Sequence, residues 1–190
     1  MSEKTLEVGL IGGVEKRRIE IVAWRSEWPG LYQCHAQRIC QVLGTILQRI
    51  EHIGSTAVEE LDAKPIIDIL AVVADPSDED CYLAAMQAAG YELRVRDPDF
   101  DEHRMFRTPQ RDVHIHVFPP DSIECQRYLL LRDYLRRHGG MRDRYAALKH
   151  DLSRVDWADM NAYAAAKTEF IEHVISLARL EATQPGVNAE

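Results

Sequence analysis

Residues 66–73, Ile-Ile-Asp-Ile-Leu-Ala-Val-Val, constrain the fold more than any other stretch of the chain. Aliphatic and β-branched residues in an unbroken run suit a strand buried in a sheet, and Lys64-Pro65 just before it disfavours helix at that boundary. One acid, Asp68, interrupts the run. A carboxylate without a partner is costly inside a strand. Asp68 is therefore expected to be ionised beside a cation or metal, or to sit where the sheet meets solvent. The alternative is a carboxylate satisfied by a nearby Arg, Lys or backbone donor.

The rest of the pattern places this strand in a mixed sheet. Residues 17–24, RRIEIVAW, alternate like a strand, and Trp28-Pro29-Gly30 turns into a predicted amphipathic helix over 30–48 carrying Leu31, Ile39, Leu43, Ile46 and Leu47. RIEHIG is read as a short strand stopped by Gly54-Ser55-Thr56, and Thr56 with Glu59 has capping-box spacing for a short helix to about Leu61. DPSDED caps a helix ending at Gly90; YELRV, HRMFRT and VHIHVF then read as strands. From about residue 124 the pattern is helical, and 161–182 reads as one helix with Tyr163, Ala166, Phe170, Val174 and Leu177 on a packing face. The fold class predicted is α/β or α+β: a mixed sheet with helices in one domain over 1–190, closed by a helical segment over about 124–182. The last residues, ATQPGVNAE, are expected to fray.

Composition narrows the function classes. With 190 residues, 46% apolar and 28% charged, the chain matches an ordinary globule, and it has no apolar run long enough for a membrane helix. The first residues lack the basic flank and apolar stretch of a secretory signal, so a cytoplasmic protein is expected. A net charge of -8 argues against nonspecific nucleic-acid binding. Cys34, Cys40, Cys81 and Cys125 have no paired zinc-knuckle spacing and are expected to be reduced thiols packed as small apolar groups.

Three groups of residues could carry chemistry. Exposed amides after Gly54, with the Ser55 and Thr56 hydroxyls, could hold a phosphate, although such a turn also serves as a plain helix cap. His114 and His116 are two apart on a strand and so leave the same face, where two imidazoles and a carboxylate can hold a divalent metal; a core histidine bonded to a carbonyl is the alternative. Arg104, Arg132, Lys149 and Lys167 are cations in patterned segments that could face a phosphate or simply be solvated. There is no P-loop, and Gly12-Gly13 does not continue into a dinucleotide fingerprint.

The strings IVAWRSEWPGLY, EHIGSTAV, AKPIIDI, HIHVF, LRDYLRRH, YAALK and AYAAAKTEFI together closely resemble the GrpB family over most of the chain. That resemblance implies a nucleotidyltransferase-superfamily fold, in a domain that also occurs fused to dephospho-CoA kinase. In that superfamily an apolar-Gly-Gly/Ser turn precedes an acid-apolar-acid strand, and Ile53-Gly54-Ser55 and Asp68-Ile69 look like this pattern. Leu70 stands where the second acid is expected, a histidine of HIHVF replaces the third, and Glu59-Glu60 replace the usual Pro-Gly.

The implied activity is transfer of a nucleoside monophosphate from a triphosphate to a small acceptor. Asp68 and His116, with His114, would hold magnesium or manganese; Gly54, Ser55 and Thr56 would hold the β and γ phosphates; Lys64 or Arg104 would neutralise the leaving pyrophosphate. The alternative is a noncatalytic module that binds a nucleotide or a CoA-like molecule. A structural interaction domain is the third possibility.

Overall fold

The apolar runs pair into a six-stranded mixed sheet in the computed structural model, which describes residues 8–183. The strands are β1 (Gly9–Leu10), β2 (Leu47–Ile53), β3 (Ile67–Val73), β4 (Glu92–Asp97), β5 (His103–Arg107) and β6 (Val113–Phe118), in the order β1-β4-β5-β6-β3-β2. β3 and β6 run parallel and the other neighbours antiparallel. The predicted mixed sheet with helices is therefore present, as is the helical carboxy-terminal segment.

Side-chain alternation divides the sheet into two faces. Ile67, Ile69, Ala71 and Val73 of β3 and Val113, Ile115 and Val117 of β6 pack with helix α1 (Trp28–Leu43) and helix α2 (Leu83–Ala88). Leu70, Val72 and Phe118 point the other way, onto Cys125, Tyr128 and Leu129 of helix α3 (Ile123–Arg137). Asp68, His114 and His116 share this second face, at the end of β3 that α3 leaves uncovered. Helices α4 (Gly139–Ser153), α5 (Met160–Ala165) and α6 (Thr168–Thr183) complete that layer, around a core of Tyr134, Leu135, Tyr145, Val174 and Ala178. No helix among the described residues is long and apolar enough to cross a membrane.

Several local expectations are corrected. RRIEIVAW does not form a strand: Val22 makes an isolated antiparallel bridge with Ala63, and the ladder stops there because Pro65, two residues on, has no N–H to donate. α1 begins at Trp28 with Pro29 in its first turn and ends at Leu43, where Gly44 takes φ 52° and opens a 3₁₀ turn, Gly44–Ile46, that leads into β2. The segment after Gly54 is one 3₁₀ turn, Ser55–Ala57, with no side-chain cap. The predicted single helix over 161–182 breaks between α5 and α6, at Ala166–Lys167. Of the cysteines, Cys125 is buried as expected, but Cys34, Cys40 and Cys81 are exposed. The tail beyond residue 183 lies outside the described residues.

Arg104 also departs from expectation. Its neighbours His103 and Met105 share the β5 face of His116, so alternation turns Arg104 to the α2 side. There it is 3% exposed and donates to Glu79 at 2.6 Å, alongside Arg96. It is a buried structural cation. Glu79 would keep Arg96 if Arg104 were removed, so the loss is one charged hydrogen bond rather than a stranded acid. Arg104→Met is expected to lower unfolding free energy by about 2 kcal/mol and to leave the opposite layer of the sheet undisturbed, as read by urea unfolding and NMR.

Candidate functional site

The open end of β3 forms the floor of a cavity of about 430 Å³ roofed by the carboxy-terminal helices. Gly54, Ser55, Lys64, Asp68, His114 and His116 all line it, so most of the residues singled out in the sequence converge. Asp68 pairs with His114 in the β3–β6 register, and His116 lies opposite Leu70. His114 Nδ1 is 3.4 Å and His116 Nε2 3.9 Å from Asp68 Oδ1. The Asp68 side chain is 29% exposed, so the acid reaches the cleft rather than being sealed in the core.

Gly54 makes this approach possible. It has φ 70° and ψ -173°, a conformation essentially restricted to glycine. A Cβ there would sit well inside contact distance of Asp68 Oδ2 and 3.0 Å from its Cβ. Ser55 then faces the cavity, whereas Thr56 does not offer its hydroxyl: Oγ1 donates to the Ile66 carbonyl and accepts from His52 Nε2, both at 3.1 Å. Thr56 is 1% exposed and holds the turn together instead of holding a ligand. Arg136, from α3, donates to the Ala57 carbonyl at 2.7 Å and fixes the turn from outside.

One ligand atom each from Asp68, His114 and His116 can lie within 4.8 Å of the others, which suits one divalent ion. The donor set tests which ion fits. Two imidazoles and one carboxylate match manganese, iron, cobalt or zinc, whereas magnesium prefers oxygen ligands throughout. Burial by itself would raise the Asp68 carboxyl, but the adjacent His114 and His116 imidazoles outweigh it and hold the group well below the usual carboxylate range. The acid is therefore ionised, as a metal ligand must be.

Opposite this cluster stands a wall of lysines. Lys149 of α4 is 3% exposed; its Nζ donates to Ser55 Oγ at 2.9 Å and to the Asp62 carbonyl. Lys64 and Lys167 each sit 4.9 Å from the Tyr163 ring centroid, and Lys149 sits 4.6 Å from that of Tyr145. Burial and then the repulsion of Lys167, partly relieved by Asp62, bring Lys149 down to about 7, with a smaller repulsion from Lys64. Burial and then Lys64 bring Lys167 down to about 8. Burial lowers Lys64 as well. Tyr163 is fully buried, and its Oη has no hydrogen-bond partner.

Arg107, further along the cavity, is by contrast already paired with Glu15 at 2.7 Å, and Arg132 with Glu51 at 2.8 Å. Tyr145 and Tyr163 were not read as site residues from sequence. Their signal was the spacing Tyr145–Lys149 and Tyr163–Lys167, which puts each ring beside its ammonium, four residues on.

Fold and site together define an α/β protein with a metal-capable Asp-His-His cluster facing a lysine-lined cleft. The family model described as GrpB protein matches residues 18–176, and the chain belongs to the GrpB family. It is 45% identical over 164 residues to a UPF0157 protein of Streptomyces coelicolor, covering 86% of each chain. The crystal structure of the conserved protein GrpB from Enterococcus faecalis superimposes with a TM-score of 0.78 at 28% identity, covering 87% of this chain and all of that one. A dephospho-CoA kinase of Mycolicibacterium paratuberculosis is 26% identical over 180 residues, covering 81% of this chain and 44% of the kinase, so the similarity occupies part of a longer protein.

Two outcomes follow from this geometry. Gly54→Ala must displace either the turn or Asp68, and is expected to cost on the order of 3 kcal/mol and to abolish metal binding, measured by urea unfolding and titration with manganese. For Lys149, the unfolded chain keeps its proton to about pH 10, while the ligand-free fold releases it near 7. The unfolded state thus binds more protons across that window, and this lysine makes stability rise with pH. Compared at each pH, the stability of Lys149→Met relative to the natural chain is expected to fall by on the order of 2–4 kcal/mol between pH 7 and pH 10.

Proposed function

We propose that the cleft binds a phosphorylated small molecule, a nucleotide or a CoA-like compound, together with one divalent metal ion on Asp68, His114 and His116. The observation that carries this reading is the charge imbalance. Lys64, Lys149 and Lys167 face one cavity, and among the described residues no ion pair joins any of them to a carboxylate. Buried ammonium groups that repel one another call for an anion of several charges, which a polyphosphate supplies. Ser55 Oγ, the orphan Tyr163 Oη and the three ammonium groups would hold its oxygens. The metal, when bound, would neutralise the phosphate nearest Asp68 and act there as a Lewis acid. The similarity to part of a dephospho-CoA kinase favours placing CoA-type ligands among those tested.

Nucleotidyl transfer is the second reading, favoured by the metal cluster and the lysines sharing one cavity. The two-metal form of that reaction lacks support: Leu70, at the position of the second acid, is fully buried against Ile53, Val72 and Phe118. Any transfer would run with one metal and would rely on the lysines for charge on the leaving group. Arg104 takes no part in it.

A thermal-shift panel tests both readings: ATP, GTP, CoA and dephospho-CoA, each with and without manganese. A true ligand at about 100 times its Kd is expected to raise Tm by roughly 5–10 °C. Asp68→Asn should remove the manganese-dependent part of the shift, and Lys149→Met the phosphate-dependent part. A flat panel for the natural chain would overturn the binding reading. Pyrophosphate release from a stabilising triphosphate, lost in Asp68→Asn, would establish transfer.

A further inference from the structure

We infer that His103 is a positioning residue for the metal site: when a metal ion binds, His103 Nε2 accepts the His116 Nδ1 proton in their hydrogen bond and so holds His116 in the tautomer that leaves its Nε2 free for the ion. The inference rests on the metal reading above and names a residue outside the Asp-His-His cluster.

His103 opens β5 on the same sheet face as His116, and is 8% exposed. Its Nε2 lies 3.1 Å from His116 Nδ1, with the two ring planes within 9° of each other. Packing fixes the ring. It stacks on Phe118, with centroids 4.4 Å apart, and meets Phe100 edge-on at 5.9 Å. The other nitrogen of His116, Nε2, faces Asp68.

One proton lies in the bond between the two imidazoles, and its owner decides what His116 can do. If His103 donates from Nε2, neutral His116 carries its proton on Nε2, where it blocks metal ligation. If His116 donates from Nδ1, Nε2 presents a lone pair to the cleft, and His103 accepts with its own proton on Nδ1. A metal ligand needs the second arrangement, so the buried acceptor at Nε2 of His103 is the group that makes it available. His114 has no such partner among the described hydrogen bonds, and its Nδ1 faces Asp68 directly.

The test uses the full chain and zinc sulfate, with affinity read by calorimetry and the His116 tautomer by nitrogen-correlated NMR. His103→Phe keeps the stack on Phe118 and deletes the acceptor; zinc affinity is expected to fall on the order of 10- to 100-fold. His103→Gln restores an acceptor oxygen and is expected to recover part of the loss, which a purely packing role would not produce. In the zinc-loaded natural chain His116 is expected to be protonated at Nδ1. Undiminished affinity in a folded His103→Phe, or zinc on His116 Nδ1, would overturn the inference and leave the metal site standing. Failure of the natural chain to bind zinc would overturn both. Should His103→Phe not fold, the tautomer in the unmutated chain decides.

Discussion

The closeness of Gly54 to Asp68 is the constraint on which the site depends. A carboxylate at the head of a central strand stays ionised only if its lost hydration is replaced, and here His114 and His116 replace it from the adjacent parallel strand. The approach of the turn leaves no room for a side chain at position 54, so the turn and the acid form one unit. Around that unit the fold adds clamps: His52 and Ile66 hold Thr56, and Arg136 holds Ala57. The turn is fixed from both sides, so in the proposed binding reading a ligand would not bear the entropy of ordering it.

The carboxy-terminal helices supply the opposite charge. Lys149 reaches Ser55 from α4, while Lys167 sits at the break between α5 and α6. There Lys167 joins Lys64 over the face of Tyr163. The ring's electron-rich face eases two ammonium groups that otherwise repel each other. Burial still lowers the proton affinity of both lysines, and for Lys167 the charge of Lys64 adds to it. Under the proposed function, unfavourable like charge held in the cleft would favour ligands carrying the opposite sign.

Much of the polar floor was legible in the sequence because it follows from periodicity of two. Asp68 stands out in an apolar strand, and His114 and His116 must share a face whatever the sheet order. The same rule, applied relative to His116, would have removed Arg104: with Met105 opposite His116, residue 104 points to the other layer. Thr56 was read as a ligand because sequence shows a hydroxyl and not its partners. The exposed Cys34, Cys40 and Cys81 were misplaced for a related reason, since a thiol's burial depends on what packs over it.

The sequence by itself determined the strands at the heart of the sheet, the glycine turn, the shared face of the acid and the two histidines, and membership of the GrpB family. These are local properties, set by backbone preference and alternation within a few residues. Only the tertiary structure decided that lysines 64, 149 and 167, spread over 104 positions of sequence, face one cavity. It likewise decided that Leu70 is covered by α3 while Asp68, two residues earlier, is not, and that His103 lies behind His116. Each of these depends on where a helix or a neighbouring strand comes to rest, and that is set by burial of apolar faces across the whole chain rather than by the residues of the site.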